Sequence, residues 1–169
     1  WSDLPLPVSG CVRMVVAISA SEVYLHTFDH VLHSRDGGAT WPIVSDAGLL
    51  GVNWIAVDRK QPQVVYAVNS YEGTPARAGL RKSTDGGLTW SAPSASYAAV
   101  GAQSVSVSPV DGRVYVTAYT GGVPRIEVSV DGGVTFASAD LGLPPSPNLN
   151  GPVVPSPCLL YTSPSPRDS

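Results

Sequence analysis

Short apolar or alternating stretches recur along the chain, each followed by a cluster of turn-forming residues. Residues 12–18 are apolar except for Arg13, the pattern of a buried inner strand. After Ser19-Ala20-Ser21 the chain runs Val23-Tyr24-Leu25-His26-Thr27 and then His30-Val31-Leu32-His33. The plan repeats as Trp54-Ile55-Ala56-Val57, a turn at 58–62, Val64-Val65-Tyr66-Ala67-Val68 and Gly79-Leu80-Arg81-Lys82. It repeats again as Val105-Ser106-Val107, a turn at 108–112, Val114-Tyr115-Val116-Thr117 and Pro124-Arg125-Ile126-Glu127-Val128. Alternation at these places is the period of strands, and no window carries a helical period. The pattern predicts an all-β chain built from three repeated units.

Each unit closes on one eight-residue pattern: Ser34-Arg35-Asp36-Gly37-Gly38-Ala39-Thr40-Trp41, Ser83-Thr84-Asp85-Gly86-Gly87-Leu88-Thr89-Trp90 and Ser129-Val130-Asp131-Gly132-Gly133-Val134-Thr135-Phe136. The aspartates stand 49 residues apart (36 to 85) and then 46 (85 to 131), within the roughly 40–50 residues of a four-stranded propeller blade. An Asp-Gly-Gly core between β-branched and aromatic residues is a hairpin turn, because glycine reaches positive φ without steric cost. The Asp carboxylate can accept hydrogen bonds from its own turn, and the Ser and Thr hydroxyls satisfy others. Each turn therefore caps itself, and its closing aromatic residue is placed to pack beside a neighbouring hairpin. The three aspartates lack the clustered oxygen ligands of a calcium loop, so they are assigned a structural role and no metal.

The pattern Ser-x-Asp-x-Gly-x-Thr-Trp resembles the Asp-box, or bacterial neuraminidase repeat, of sialidases, xyloglucan-degrading endoglucanases, sortilin-type receptors and photosystem II assembly factors. The resemblance implies a partial β-propeller of about three four-stranded blades, at about 10–45, 52–94 and 103–140 within an incomplete domain 1–157. Such a domain is a fragment of a six- to eight-bladed ring. Trp1-Ser2-Asp3-Leu4-Pro5 is similar to the segment after the third box, so Trp1 is expected to close an upstream box. Families sharing the box differ in activity, and function must be argued from a site.

A second marker, the Val-Tyr pair at 23–24, 65–66 and 114–115, shows where the units differ. Tyr-to-Asp separations are 12, 19 and 16 residues, and the extra residues fall between the second and third strands, at 28–29, 70–78 and 120–123. Those connections emerge opposite the box turns, where repeat-specific insertions form binding surfaces. Asp29, Tyr71, Glu72, Arg77, Tyr97 and Tyr119 are the candidate residues of that face. The tyrosines either stack on a sugar ring or a peptide, or cap the blade ends.

Composition narrows the partner. At 169 residues, 43% hydrophobic, 14% charged and a net charge of −3, the chain carries no basic run for nucleic acid and no apolar run that spans a membrane. A protein or carbohydrate ligand fits, and no cofactor motif is present. His26, His30 and His33 lie close in sequence but without the helical spacing or companion ligands of a zinc site, so strand-face roles are assigned. Cys11 is expected to be a small buried residue. Residues 158–169 resemble the in-frame translation of a transposase sequencing adaptor and are set apart from the fold.

Two function classes follow. One is a non-catalytic propeller binding protein or glycan through the face opposite the boxes, as in sortilin-like receptors and assembly factors. The other is a glycoside hydrolase, exo-sialidase-like or xyloglucan endoglucanase-like, with catalytic residues partly in other blades. Sialidase resemblance calls for an arginine triad, a Tyr–Glu pair and an Asp, and the Arg-Ile-Pro signature is absent; Pro124-Arg125-Ile126-Glu127 suits an ordinary third strand. The resembling families are mostly secreted, periplasmic or lumenal, and that compartment is expected.

Overall fold

A computed structural model describes residues 6–8, 10–42, 45, 51–69, 79–97, 101–120 and 123–139. The first unit forms an antiparallel sheet of β1 (Met14–Ala17), β2 (Val23–His26) and β3 (Val31–Ser34). The second forms β4 (Val52–Val57), β5 (Val65–Asn69) and β6 (Gly79–Ser83). The third is four-stranded, with β7 (Ala102–Val107), β8 (Val114–Thr120), β9 (Val123–Ser129) and β10 (Ala137–Ser138). Each sheet is a simple meander, as β-branched runs joined by short turns dictate. In the second sheet a single bridge, Lys82 to Ser91, stands where β10 pairs in the third.

The sheets stack face on face like propeller blades, with inner strands β1, β4 and β7 next to one another. Alternation decides which residues fill each seam. Tyr24, Val31, Met14, Val16 and Ile18 of the first blade pack on Val52, Ile55, Val57, Val65 and Ala67 of the second. The opposite faces of β4–β6 present Trp54, Ala56, Tyr66, Val68 and Leu80 to Ala102, Val105, Val114, Val116 and Ala118 of the third. Leu25 and Leu32, on the outer face of the first blade, meet Trp41, Leu6 and Val8. Shifting any strand by one residue would exchange these faces, so two-sided burial pins the register.

Three expectations need correction. The run 12–18 is only half-buried, and on one face: Val15 is 57% exposed, because nothing among the described residues covers the far side of β1. Cys11 is exposed, lying ahead of β1 rather than within it. In the third unit the extra residues lengthen the strands rather than the connection. Thr120 pairs with Val123, so that two seven-residue strands meet with only 121–122 between them.

Candidate binding face

Antiparallel order sorts the connections onto two rims. The boxes share one rim with the β1–β2, β4–β5 and β7–β8 turns. The β2–β3, β5–β6 and β8–β9 connections lie on the other.

On the box rim the turns are built almost identically. Ser34 Oγ donates to Asp36 Oδ1 at 2.7 Å and accepts from Gly38 N at 2.7 Å. Thr40 donates through its amide to Asp36 Oδ1 at 2.9 Å and through its hydroxyl to Oδ2 at 2.6 Å. Ser83, Asp85, Gly87 and Thr89 repeat the pattern, as do Ser129, Asp131, Gly133 and Thr135. Hydroxyl and amide donation from Thr40, then Ser34, pulls the Asp36 carboxyl down to about 2. Donation led by the Thr89 hydroxyl brings Asp85 to about 2, and Thr135 holds Asp131 well below the usual range. These carboxylates are ionised at neutral pH and bound by their own turns.

Serine contributes more than position. Ser83 is 1% exposed, and its hydroxyl satisfies the buried Gly87 amide. Ser83→Ala is expected to cost about 1–3 kcal/mol, the penalty for an unpaired buried donor, seen as a lower urea midpoint.

Turns also stitch the blades together. Tyr24 Oη donates to Pro62 O at 3.0 Å, Tyr66 Oη to Gly132 O at 3.1 Å, and Lys60 Nζ reaches Val110 O. Burial pushes both phenols up to about 12. The Val-Tyr pair therefore recurs because its tyrosine supports the following blade. Trp41 is buried and Trp90 donates Nε1–H to Gly87 O at 2.8 Å, while Phe136 meets Tyr97 edge to face at 4.7 Å.

On the opposite rim the first blade carries a compact cluster. Thr27 and His30 close the β2–β3 connection with a reciprocal pair, Thr27 N to His30 O at 2.9 Å and His30 N to Thr27 Oγ1 at 3.2 Å. This lifts Phe28 outward, 43% exposed, with the Arg13 guanidinium 4.9 Å from its ring centroid. Asp29 is half-buried beside it. The Phe28 carbonyl accepts from Gly51 N at 2.9 Å and Val52 N at 3.2 Å, fixing the connection to the second blade.

Behind this cluster His26 is fully buried. Its Nδ1 donates to Thr27 O at 3.0 Å, and Nε2 has no partner among the described residues. Burial pushes the imidazole below its ordinary value of 6.5, outweighing the Thr27 carbonyl; burial likewise lowers His33, against the opposing pull of Glu22. The folded state thus binds fewer protons than the unfolded state as pH falls below about 6.5, and stability present above that value declines. A urea midpoint that drops between pH 7.5 and 5 is expected, with a shallower drop in His26→Leu. A flat profile would refute the assignment.

Tyr97 lies apart from this cluster. Tyr97, in the single-turn 3-10 helix Ala95–Tyr97, is 3% exposed inside the seam between the second and third blades, and donates to Glu127 Oε2 at 2.7 Å. It is a core residue, because the turn folds its ring beneath Phe136. Tyr119 occupies β8, paired with Pro124. Tyr71, Glu72 and Arg77 lie outside the described residues. Sequence reasoning placed Phe28 in a connection but missed Arg13, which reaches it from the start of another strand. Among the described residues no group of three His, Cys, Asp or Glu is placed to hold a metal, and no helix is long and apolar enough to cross a membrane.

No protein-family model matches the sequence, and no curated protein matches it. Solved structures do match by fold. An ancestral GH74 enzyme superposes with a TM-score of 0.64 at 20% identity, covering 82% of this chain and 19% of that one. YCF48 bound to D1 peptide gives 0.58 at 18% identity, covering 79% and 41%. The nidogen/laminin complex gives 0.54 at 20%, covering 74% and 47%. The chain spans about a fifth to a half of the length of these proteins. At such identities the likeness shows the fold alone, that of a partial β-propeller.

Proposed function

We propose that this chain belongs to a non-catalytic propeller that binds protein or glycan through the face opposite the box turns, in a secreted, periplasmic or lumenal protein. The observation that carries this reading is the Phe28 cluster. An exposed ring stiffened by a guanidinium and flanked by the half-buried Asp29 offers an apolar platform with polar anchors, the combination used to hold a sugar face or an apolar peptide side chain. The box carboxylates accept hydrogen bonds within their own turns. Propellers solved in the nidogen/laminin complex and with D1 peptide support a partner-binding use of the fold.

The test is a comparison of the full chain with Phe28→Ala on glycan and peptide arrays. Binding by the first and its loss in the second is expected, since Phe28 is exposed and its removal leaves the core intact. Identical array patterns would refute the role of this cluster. The GH74 likeness favours a second reading, part of a glycoside hydrolase; release of reducing ends from xyloglucan by the chain would replace the first reading with it.

A further inference from the structure

A second surface lies on the box rim, away from Phe28. Between the first and second boxes is a cleft of about 290 Å3 whose lining includes His33, Arg35, Asp36, Pro42, Asp85 and Leu88. Two box carboxylates and the Arg35 guanidinium share this lining.

The neighbouring seam shows which chemistry this position accommodates. There Lys82 pairs in register with Tyr66, as His33 pairs with Tyr24 in the first blade. The Lys82 ammonium donates to Gly132 O at 2.9 Å and lies 5.4 Å from the Tyr66 ring centroid. The two seams are equivalent at this point: a Cβ on Gly132 would stand 2.8 Å from Lys82 Nζ, and one on Gly86 would stand 3.4 Å from His33 Nδ1. In the first seam, however, the imidazole lies flat on Tyr24, with centroids 4.0 Å apart and planes at 12°, and its Nε2 meets Glu22 Oε1 at 3.1 Å. Tyr24 gives its hydroxyl to Pro62 rather than to the box. Gly86 lines the cleft, and among the described residues no donor reaches its carbonyl. Gly132 of the third blade thus meets an internal ammonium, whereas Gly86 of the second meets an imidazole stacked on Tyr24.

We propose that the cleft between the first two boxes binds a cationic side chain on an aliphatic stem, a lysine or arginine presented by a partner polypeptide. The charged end sits by Gly86, Asp36 and Asp85, and the stem lies along Pro42 and Leu88, apolar surface of the kind a long basic side chain covers. A polypeptide rather than a small polyamine is indicated by the exposed apolar residues on this rim: Leu88, Val130 and Val134 are 60, 77 and 54% exposed, surface that a chain passing over the boxes can cover.

The experiment titrates an end-capped tetralysine peptide into the full chain, followed by fluorescence anisotropy at low salt. Saturable binding that weakens as salt screens the carboxylates is expected, with little binding of the same peptide acetylated on its lysines. His33→Lys, which supplies the internal ammonium, is expected to weaken binding by on the order of tenfold while the urea midpoint holds or rises. Leu88→Ser, at an exposed position, is expected to weaken binding with the midpoint unchanged, and it carries the test should His33→Lys fold poorly. Absence of wild-type binding, undiminished binding in a folded variant, or equal affinity for the acetylated peptide would overturn the site. Spermidine binding more tightly than tetralysine would overturn the polypeptide assignment.

Discussion

Replacing Tyr66 with alanine is expected to remove about 3–5 kcal/mol of stability, the range for deleting a large buried aromatic ring. Tyr66 is 3% exposed within the seam between the second and third blades, where it packs with Val64, Val68, Leu80, Val114 and Val116. Its ring also lies 3.5 Å from where a Cβ on Gly133 would stand, so truncation opens a void beneath the third box. Tyr66→Phe retains the ring and loses only the bond to Gly132 O, at a cost of about 1 kcal/mol. A domain of this size is stable by roughly 5–15 kcal/mol, so the alanine variant forfeits a fifth or more. Urea unfolding of both variants checks this. Equal midpoints for Phe and Ala would show that the seam does not depend on the ring.

Gly37→Ala is expected to be the most damaging of the small substitutions. Gly37 has φ of +71°, and a Cβ there would stand 2.9 Å from the Ala20 carbonyl oxygen, a backbone atom with little freedom to withdraw. The Gly37 amide donates to Ser21 O at 2.8 Å, so relief of the clash weakens the link between the box and the β1–β2 turn. Gly112 is the control, with φ of +75° and open space for 4 Å around the position its Cβ would take. Left-handed strain alone accounts for about 1–2 kcal/mol in Gly112→Ala, and the clash with its weakened hydrogen bond adds roughly 1–2 kcal/mol more in Gly37→Ala. Urea midpoints of the two variants measure the difference. Equal losses in both would show that the box turn can move away from Ala20 freely.

What is legible in the amino-acid pattern is what is local. Every box closes through contacts four residues apart or fewer, so Ser34, Asp36 and Thr40 predict their own geometry. The Val-Tyr pair is visible as a marker, but its purpose spans blades: Tyr66 reaches Gly132 from 66 residues away, and no periodicity records that. Tyr97 suits a surface when read from sequence, because an aromatic residue near a strand end fits a rim. A single 3-10 turn instead tucks it under Phe136 and gives its hydroxyl to Glu127. The cleft is invisible in the sequence because boxes one and two match so closely. The difference lies one residue ahead of them, where His33 stands in place of Lys82.

The pairing of Thr120 with Val123 has a topographic consequence. Beyond its repeat tyrosine, β8 continues five residues to Thr120, whereas β2 continues two residues to His26. The first hairpin closes at the Thr27–His30 pair, three residues past Tyr24, so the two additional residues of the third, at about 3.3 Å each, raise it roughly 7 Å above the first. The surface carrying Phe28 is thus a terrace beneath a wall, and not a level plateau. A flat ligand cannot rest level on the first and third hairpins together. The step gives the surface a preferred direction of approach.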